Sequence, residues 1–215
     1  PALRTMSSKN VTGICPASPG AKDWQPTAYS PLTRLLYIPH QHLCMDYEAS
    51  EVGYIAGTPY IGATVDMYAG PGNYRGEFAA WDLTQRKKVW AIHEKFPVWS
   101  GTMVTAGNIA VYGTMDRWFK VVDARSGKLL YRFHAPSGFI GQPITYQGAD
   151  GNQYIAMLSG VGGWAGALAV KSAGLDPRVR NGALGYTGAM GDLPAFTSGG
   201  STLLVFSLGA ANAPH

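Results

Sequence analysis

Apolar residues along this chain fall in short runs rich in β-branched and aromatic side chains, and turn residues punctuate them. Residues 35–39, 108–114, 118–123 and 128–133 read as strands on that pattern. Residues 142–146 and 153–158 flank Ala149-Asp-Gly-Asn, a hairpin signal, and residues 201–208 read as a buried closing strand. Elsewhere the pattern fades. Residues 1–30 are broken by Pro16, Pro19, Gly20 and Pro26, and residues 48–76 read as loop with a turn at Gly70-Pro-Gly-Asn. Residues 171–200 are glycine-rich with little periodicity, which predicts a packed or functional surface loop.

One pattern occurs twice. Ala80-Trp-Asp82-Leu-Thr-Gln-Arg-Lys87-Lys-Val-Trp90 is followed by Val121-Val-Asp123-Ala-Arg-Ser-Gly127-Lys128-Leu-Leu-Tyr131, with the two aspartates 41 residues apart. A period near 40 residues signals stacked supersecondary units, here propeller blades of three or four strands. Asp suits the turn in each copy because it bonds its own backbone, and Gly in the second because it accepts positive φ; the chain then leaves as a strand ending in an aromatic residue. Trp90 and Tyr131 are expected flat at blade junctions, where a large ring buries area and still satisfies a polar edge. Arg86 stands at the turn position that Gly127 fills in the second copy, which weakens that turn.

Composition narrows the class. With 46% hydrophobic and only 14% charged residues the 215-residue chain is globular, and 28 glycines with 12% aromatics suit packed strands and tight turns. The expected class is all-β. The net charge of +4 comes from scattered residues, with no stripe to bind nucleic acid, and no apolar run is long enough to span a bilayer. At about 40 residues per blade, the length covers four or five blades, so the chain reads as part of a larger propeller. Cys15 and Cys44 lie in no zinc spacing; a bridge in an oxidising compartment and two buried thiols are both open readings.

Candidate chemistry is sparse. Gly160-Val-Gly162-Gly-Trp-Ala165 has dinucleotide-fingerprint spacing but lacks a following crossover helix and a downstream acid, so its glycines read as sites of close backbone approach, with Trp164 projecting from the bend. His40 and His42 share a strand face without a third ligand, and Asp46, Glu48 and Glu51 read as a solvated acidic face. Trp99, before Ser100-Gly-Thr102, lies where loops lead toward a propeller axis, though a core position is the simpler expectation.

Taken together, the tandem repeats, Gly13-Ile-Cys15-Pro-Ala, Cys44-Met-Asp-Tyr-Glu, Gly62-Ala-Thr, Val98-Trp99-Ser-Gly-Thr, Pro136-Ser-Gly-Phe-Ile-Gly and Gly160-Val-Gly-Gly-Trp-Ala-Gly166 resemble, in order, the large subunit of the quinoprotein methanol dehydrogenases. The resemblance implies an eight-bladed β-propeller of which residues 1–215 are the C-terminal third, part of a single propeller domain with its tryptophan-docking repeats at 80–90 and 121–131. It implies a periplasmic oxidoreductase of methylotrophy that oxidises methanol or other small primary alcohols. Hydride passes to pyrroloquinoline quinone (PQQ), a metal ion polarises the quinone, and electrons go on to a c-type cytochrome. By resemblance Asp23, Trp99 and Trp164 bind the cofactor, Cys15 and Cys44 form a disulfide, and the parent protein is a homodimer. Lys22-Asp23, Cys44-Met-Asp-Tyr and Gly57-Thr-Pro-Tyr-Ile-Gly-Ala-Thr look more like the lanthanide-dependent branch than the calcium-dependent one. The family's catalytic base and metal-ligand carboxylates have no counterpart in this chain, so no catalytic or metal-binding residue is expected here and the chain alone is expected to be inactive. The rival reading is a non-catalytic propeller scaffold of the cell envelope built from the same repeats.

Overall fold

The computed structural model describes residues 3–7, 9–51, 53–54, 56–57, 62–169, 176 and 178–207. A first strand, β1 (Val11–Ile14), precedes a four-stranded antiparallel blade of β2 (Ala28–Ser30), β3 (Leu35–Gln41), β6 (Gly76–Asp82) and β7 (Lys87–Glu94), in that spatial order. The connection from β3 to β6 carries β4 (Leu43–Ala49) and β5 (Ala63–Ala69), which join β1 in a separate sheet ordered β1-β4-β5. A second blade runs through β8 (Met103–Val104), β9 (Ile109–Gly113), β10 (Trp118–Asp123) and β11 (Leu129–His134). The third comprises β12 (Ile144–Gln147), β13 (Gln153–Ser159) and β14 (Thr202–Ser207). Between β13 and β14 lie two short helices, α1 (Gly163–Ala169) and α2 (Tyr186–Met190), the latter flanked by 3-10 turns at Ala183–Gly185 and Leu193–Ala195.

This corrects several expectations. Residues 1–30 contain β1 and β2, and residues 48–76 contain β5 and the end of β4; β1 and β5 both pair with β4, while β2 is a three-residue strand on β3. The described residues make three blades rather than four or five, because the β3–β6 and β13–β14 connections take up the difference. The described part of residues 171–200 is packed structure: Gly185, at φ 95, lets α2 lie so close to β5 that a Cβ there would sit 2.6 Å from the Val65 carbonyl oxygen. The glycines serve contact rather than looseness.

The repeat itself is reproduced in three dimensions. A register shift falls between Ala80 and Trp81 in the first blade, and between Val121 and Val122 in the second. Ala80 therefore pairs with Trp90, and Val121 with Tyr131. Asp82 Oδ1 accepts the amides of Thr84 and Gln85, as Asp123 Oδ1 accepts those of Arg125 and Ser126. The Ser126 hydroxyl also donates to Asp123 and helps to hold its carboxyl below the usual range. Arg86 and Gly127 both take left-handed φ, at 53° and 72°.

Trp90 is the junction residue that the repeat predicts. Its indole Nε1 donates to the Ala124 carbonyl of the second blade at 3.2 Å, beside the Tyr37 hydroxyl, which donates to the same oxygen at 3.0 Å. Tyr131 is different: it meets Phe206 of the third blade edge-on at 6.1 Å but stays 48% exposed. The turn equivalent to 123–127 would follow β14, outside the described residues. Tyr37, Phe78, Ala80, Val98, Ala110, Tyr112, Val122 and Ala124 form the core between the first two blades; Val111, Phe119, Val121, Phe139, Ile155 and Met157 form the next.

Buried carboxylates tie strands across the blades. Glu77 on β6 is 1% exposed and takes Lys88 Nζ at 2.7 Å, His40 Nε2 at 3.0 Å and the Tyr74 hydroxyl at 3.2 Å. Glu94 takes Lys120 Nζ at 2.6 Å and the Tyr112 hydroxyl at 2.6 Å. Burial pushes the Glu77 carboxyl up, but the hydrogen bonds and charges of Lys88 and His40 outweigh it, and the net shift is downward.

Two predictions follow from this packing. Gly127→Ala would place a Cβ 2.8 Å from the Trp90 ring at positive φ, so unfolding free energy in urea should fall by about 2–4 kcal/mol. Arg86→Gly should instead gain about 0.5–1 kcal/mol by relieving a left-handed conformation; a loss at Arg86→Gly, or no loss at Gly127→Ala, contradicts this account of the turn. Because its folded-state pKa is depressed, Glu77 contributes stability above its unfolded value, about 4.3, and loses it as pH falls through the lower folded value. Glu77→Gln should therefore flatten the acid limb of the stability–pH curve, and an unchanged slope would show that Glu77 does not carry it.

Candidate functional site

The loops leading into the three blades converge. Trp24, Trp99 and Ile140 each stand four residues before the innermost strand of a blade, β2, β8 and β12 respectively. The loops touch: the Thr102 amide donates to the Pro26 carbonyl, and a Cβ on Gly101 would lie 2.7 Å from Gln142 Cβ and 3.1 Å from Pro26 Cδ. Only glycine permits that three-way approach.

At this convergence lies a cavity of about 370 Å³ lined by Asp23, Trp24, Trp99, Ile140, the Gly162–Ala165 run and Tyr186. The structure thus brings Asp23, Trp99 and Trp164 into one pocket. Trp99 is almost wholly buried, as a core position requires: it belongs to the central cluster with Phe96, Met115 and Val161, and it also lines the cavity. Trp164 is the second residue of α1 and is 43% exposed. Tyr186, which opens α2, meets Trp99 edge-on at 5.5 Å and Trp164 at 6.3 Å. Its phenol is pushed up to about 12, first by burial and then by the negative charge of Asp23, so it is a hydrogen-bond donor throughout the neutral range.

The loop carrying Asp23 is held from both ends. The Cys15–Cys44 disulfide joins it to β4, and the Ala17 amide donates to the Leu43 carbonyl at 2.8 Å. Lys22 turns back, donating from Nζ to the carbonyls of Asp23, at 2.9 Å, and Gln25. Burial lowers the Lys22 pKa, an effect that the Asp23 charge opposes. Among the described residues the Asp23 carboxylate accepts no hydrogen bond, which leaves it available at the pocket edge.

The other sequence candidates lie elsewhere. His40 bonds Glu77, and His42 bonds the Pro71 carbonyl at 3.0 Å while stacking on Tyr74, so the two rings do not converge. Asp46 is no solvated acid: it accepts the Gly13 amide and the Tyr68 hydroxyl. Glu48 and Glu51 are exposed. Gly160 donates its amide to Gly138 and lies against the backbone of Gly200, as close approach requires. Thr58, Pro59, Tyr60 and Ile61 of the Gly57-to-Thr64 string lie outside the described residues. Sequence reasoning missed Trp24, Ile140 and Tyr186. The first two share with Trp99 the four-residue offset from an innermost strand, a signal visible only once β2, β8 and β12 are located.

A mostly apolar, aromatic-lined pocket with a carboxylate that accepts no hydrogen bond and a protonated phenol in its lining suits an aromatic ligand with polar margins. Among the described residues no three His, Cys, Asp or Glu side chains are grouped so as to hold a metal ion. No described helix is long and apolar enough to cross a membrane.

Comparison with known proteins bears on the family of the chain. Residues 63–155 match the family described as glucose/ethanol/alcohol dehydrogenase, beta-propeller domain (PQQ). A lanthanide-dependent methanol dehydrogenase of Methylacidiphilum fumariolicum is 50% identical over 97% of this chain, which covers 34% of that protein. Another from Methylorubrum extorquens is 47% identical over 93% of the chain, covering 33% of the relative. A methanol dehydrogenase [cytochrome c] subunit 1 from Paracoccus denitrificans is 38% identical over 97%. Among solved structures, a europium-containing methanol dehydrogenase superposes with a TM-score of 0.89 at 48% identity, over 97% of this chain and 37% of the other. The chain spans about a third of the length of the curated relatives it matches. With half its residues shared with one lanthanide-dependent relative and its blades superposing on a europium-containing one, the chain belongs to the quinoprotein alcohol dehydrogenase family of β-propellers, on the lanthanide-dependent methanol dehydrogenase side.

Proposed function

We propose that this chain forms one wall of the quinone pocket in a propeller dehydrogenase that oxidises methanol or other small primary alcohols. The observation that carries this reading is the convergence of Asp23, Trp99 and Trp164, with Trp24 and Tyr186, on one cavity where three blade-leading loops meet. The three blades belong, on this reading, to a single propeller domain completed by further blades.

The lining fits PQQ on one side: aromatic side chains flank a flat ring, and Gly162, where a Cβ would meet nothing within 4 Å, leaves open space beside it. When bound, the quinone supplies an electrophilic carbonyl for hydride and the metal ion a Lewis acid that polarises it. The chain's own residues orient and enclose. Trp99 and Trp164 bury ring surface and exclude water. Tyr186 offers a hydroxyl proton that is not lost at neutral pH, and Asp23 places a carboxylate at the polar margin. A single carboxylate cannot hold a trivalent ion, so the metal's remaining ligands and the catalytic base belong to residues beyond this chain.

A lanthanide is the better supported metal, because the relatives named for lanthanide dependence share 47–50% identity against 38–39% for the methanol dehydrogenase [cytochrome c] subunits. A c-type cytochrome is the electron acceptor on the strength of those same names. The Cys15–Cys44 bridge fits an oxidising compartment such as the periplasm. A homodimeric parent completes the reading. The scaffold alternative leaves a shared aromatic pocket with a free carboxylate without a purpose.

Two outcomes test the proposal. These 215 residues alone should show no dye-linked methanol oxidation with PQQ and a lanthanide supplied; turnover by the purified chain would refute the division of labour. In the complete protein, Trp164→Ala should weaken PQQ binding about tenfold or more, with Trp164→Phe closer to the parent, as read by quinone titration of the apoprotein. Equal affinity in all three would remove Trp164 from the pocket.

A further inference from the structure

Gln41 stands at the end of β3, outside the cavity lining, yet it joins two of the cavity's walls. It is only 3% exposed. Its Oε1 accepts the Trp99 indole N–H at 3.1 Å, while its Nε2 donates to the Gly20 carbonyl at 2.9 Å and to the Pro19 carbonyl at 3.3 Å. Its backbone amide donates to the Ala21 carbonyl at 2.9 Å. One buried side chain therefore fixes the ring plane of Trp99 and, through residues 19–21, the loop that presents Asp23 and Trp24. All of these partners lie within the described residues, and the burial of Gln41 does not depend on any further blade.

We infer that Gln41 is a positioning residue for the quinone pocket, holding Trp99 and the Asp23–Trp24 loop at a set separation. The inference rests on the proposed function. The amide chemistry is specific: only a group with an acceptor on one atom and two N–H donors on the other can serve an indole N–H and two carbonyls at once. A leucine leaves the buried indole N–H unpaired and removes the donor from the half-buried carbonyls of Pro19 and Gly20. A glutamate keeps the acceptor for Trp99 but sets a second oxygen against the carbonyls of Pro19 and Gly20. No other described side chain bonds Trp99 Nε1, so loss of the amide frees the ring to turn against Tyr186, which it now meets at 82°. The Cys15–Cys44 bridge holds the loop at its start and the Gln41 backbone amide still holds Ala21, but Pro19 and Gly20 then lose their side-chain tie to β3.

The test is PQQ titration of the complete apoprotein, followed by tryptophan quenching and by the absorption spectrum of the bound quinone, with melting temperature measured alongside. Gln41→Leu should raise the Kd for PQQ about tenfold and shift the bound quinone's spectrum. Combined with Trp99→Phe, which removes the indole N–H, its added effect should shrink to about twofold or less, since the shared bond is already gone. Should Gln41→Leu fail to fold, the near-isosteric Gln41→Glu reads the same equilibrium and should also weaken binding. A variant that melts earlier but binds PQQ with unchanged affinity and spectrum, or effects that add fully with Trp99→Phe, would overturn the positioning role. A parent protein that takes up no PQQ would instead bring down the functional reading itself.

Discussion

A four-stranded blade has two apolar faces and can bury neither without a neighbour, and the rest of this structure depends on how that contact is closed. Between the first two blades one carbonyl gathers two of the closing hydrogen bonds, and Glu94 with Lys120 and Tyr112 supplies others. Ala124 O accepts both the Trp90 indole and the Tyr37 hydroxyl, and Gly127 leaves the room into which the indole packs. The hydrogen bonds fix direction while the aromatic area supplies most of the driving force. The inner strands β6 and β9 are consequently buried on both faces, and the outer strands β7 and β11 are largely not.

Once neighbouring blades are locked in that way, the loops before their innermost strands have no freedom to diverge. Gly101 lies against Pro26 on one side and Gln142 on the other. The pocket is thus a by-product of blade stacking, and its specific chemistry comes from segments that are not blade at all. Asp23 and Trp24 come from the stretch after β1, Trp164 from α1 and Tyr186 from α2. The three-stranded β1-β4-β5 sheet supports α2, and Arg75 clamps the end of that insertion with a bidentate pair to Asp192 and a bond to the Ala189 carbonyl.

What was legible in the sequence follows this division. The blades were legible because a 41-residue period repeats the Asp turn, the positive-φ position and the junction aromatic, each a local requirement. The inserted segments were not, because their strands pair with partners far along the chain: β1 with β4 across more than 30 residues, and α2 against β5 across more than 100. Short runs such as Val11–Ile14 have no periodicity of their own to display. Trp99 and Trp164 stood out from their own loops, but Asp23, and the grouping of all three at one site, came only through resemblance of whole strings. Tyr186 was hidden in a glycine-rich stretch whose glycines look like loop and act as contact points.

The long connection between β13 and β14 leaves and rejoins its blade at two strands that are hydrogen-bonded to each other over six residue pairs. The sheet is therefore sewn shut beneath the excursion, and the pairing of β13 with β14 does not run through what the excursion carries. The helices are anchored elsewhere: Ala165, Leu168, Ala189, Met190 and Leu193 are buried in the central cluster with Val65, Met67 and Trp99. One wall of the pocket thus leans on the early part of the chain rather than on the blade that sends it out, and a change in α2 is felt at β5 before it is felt at β13.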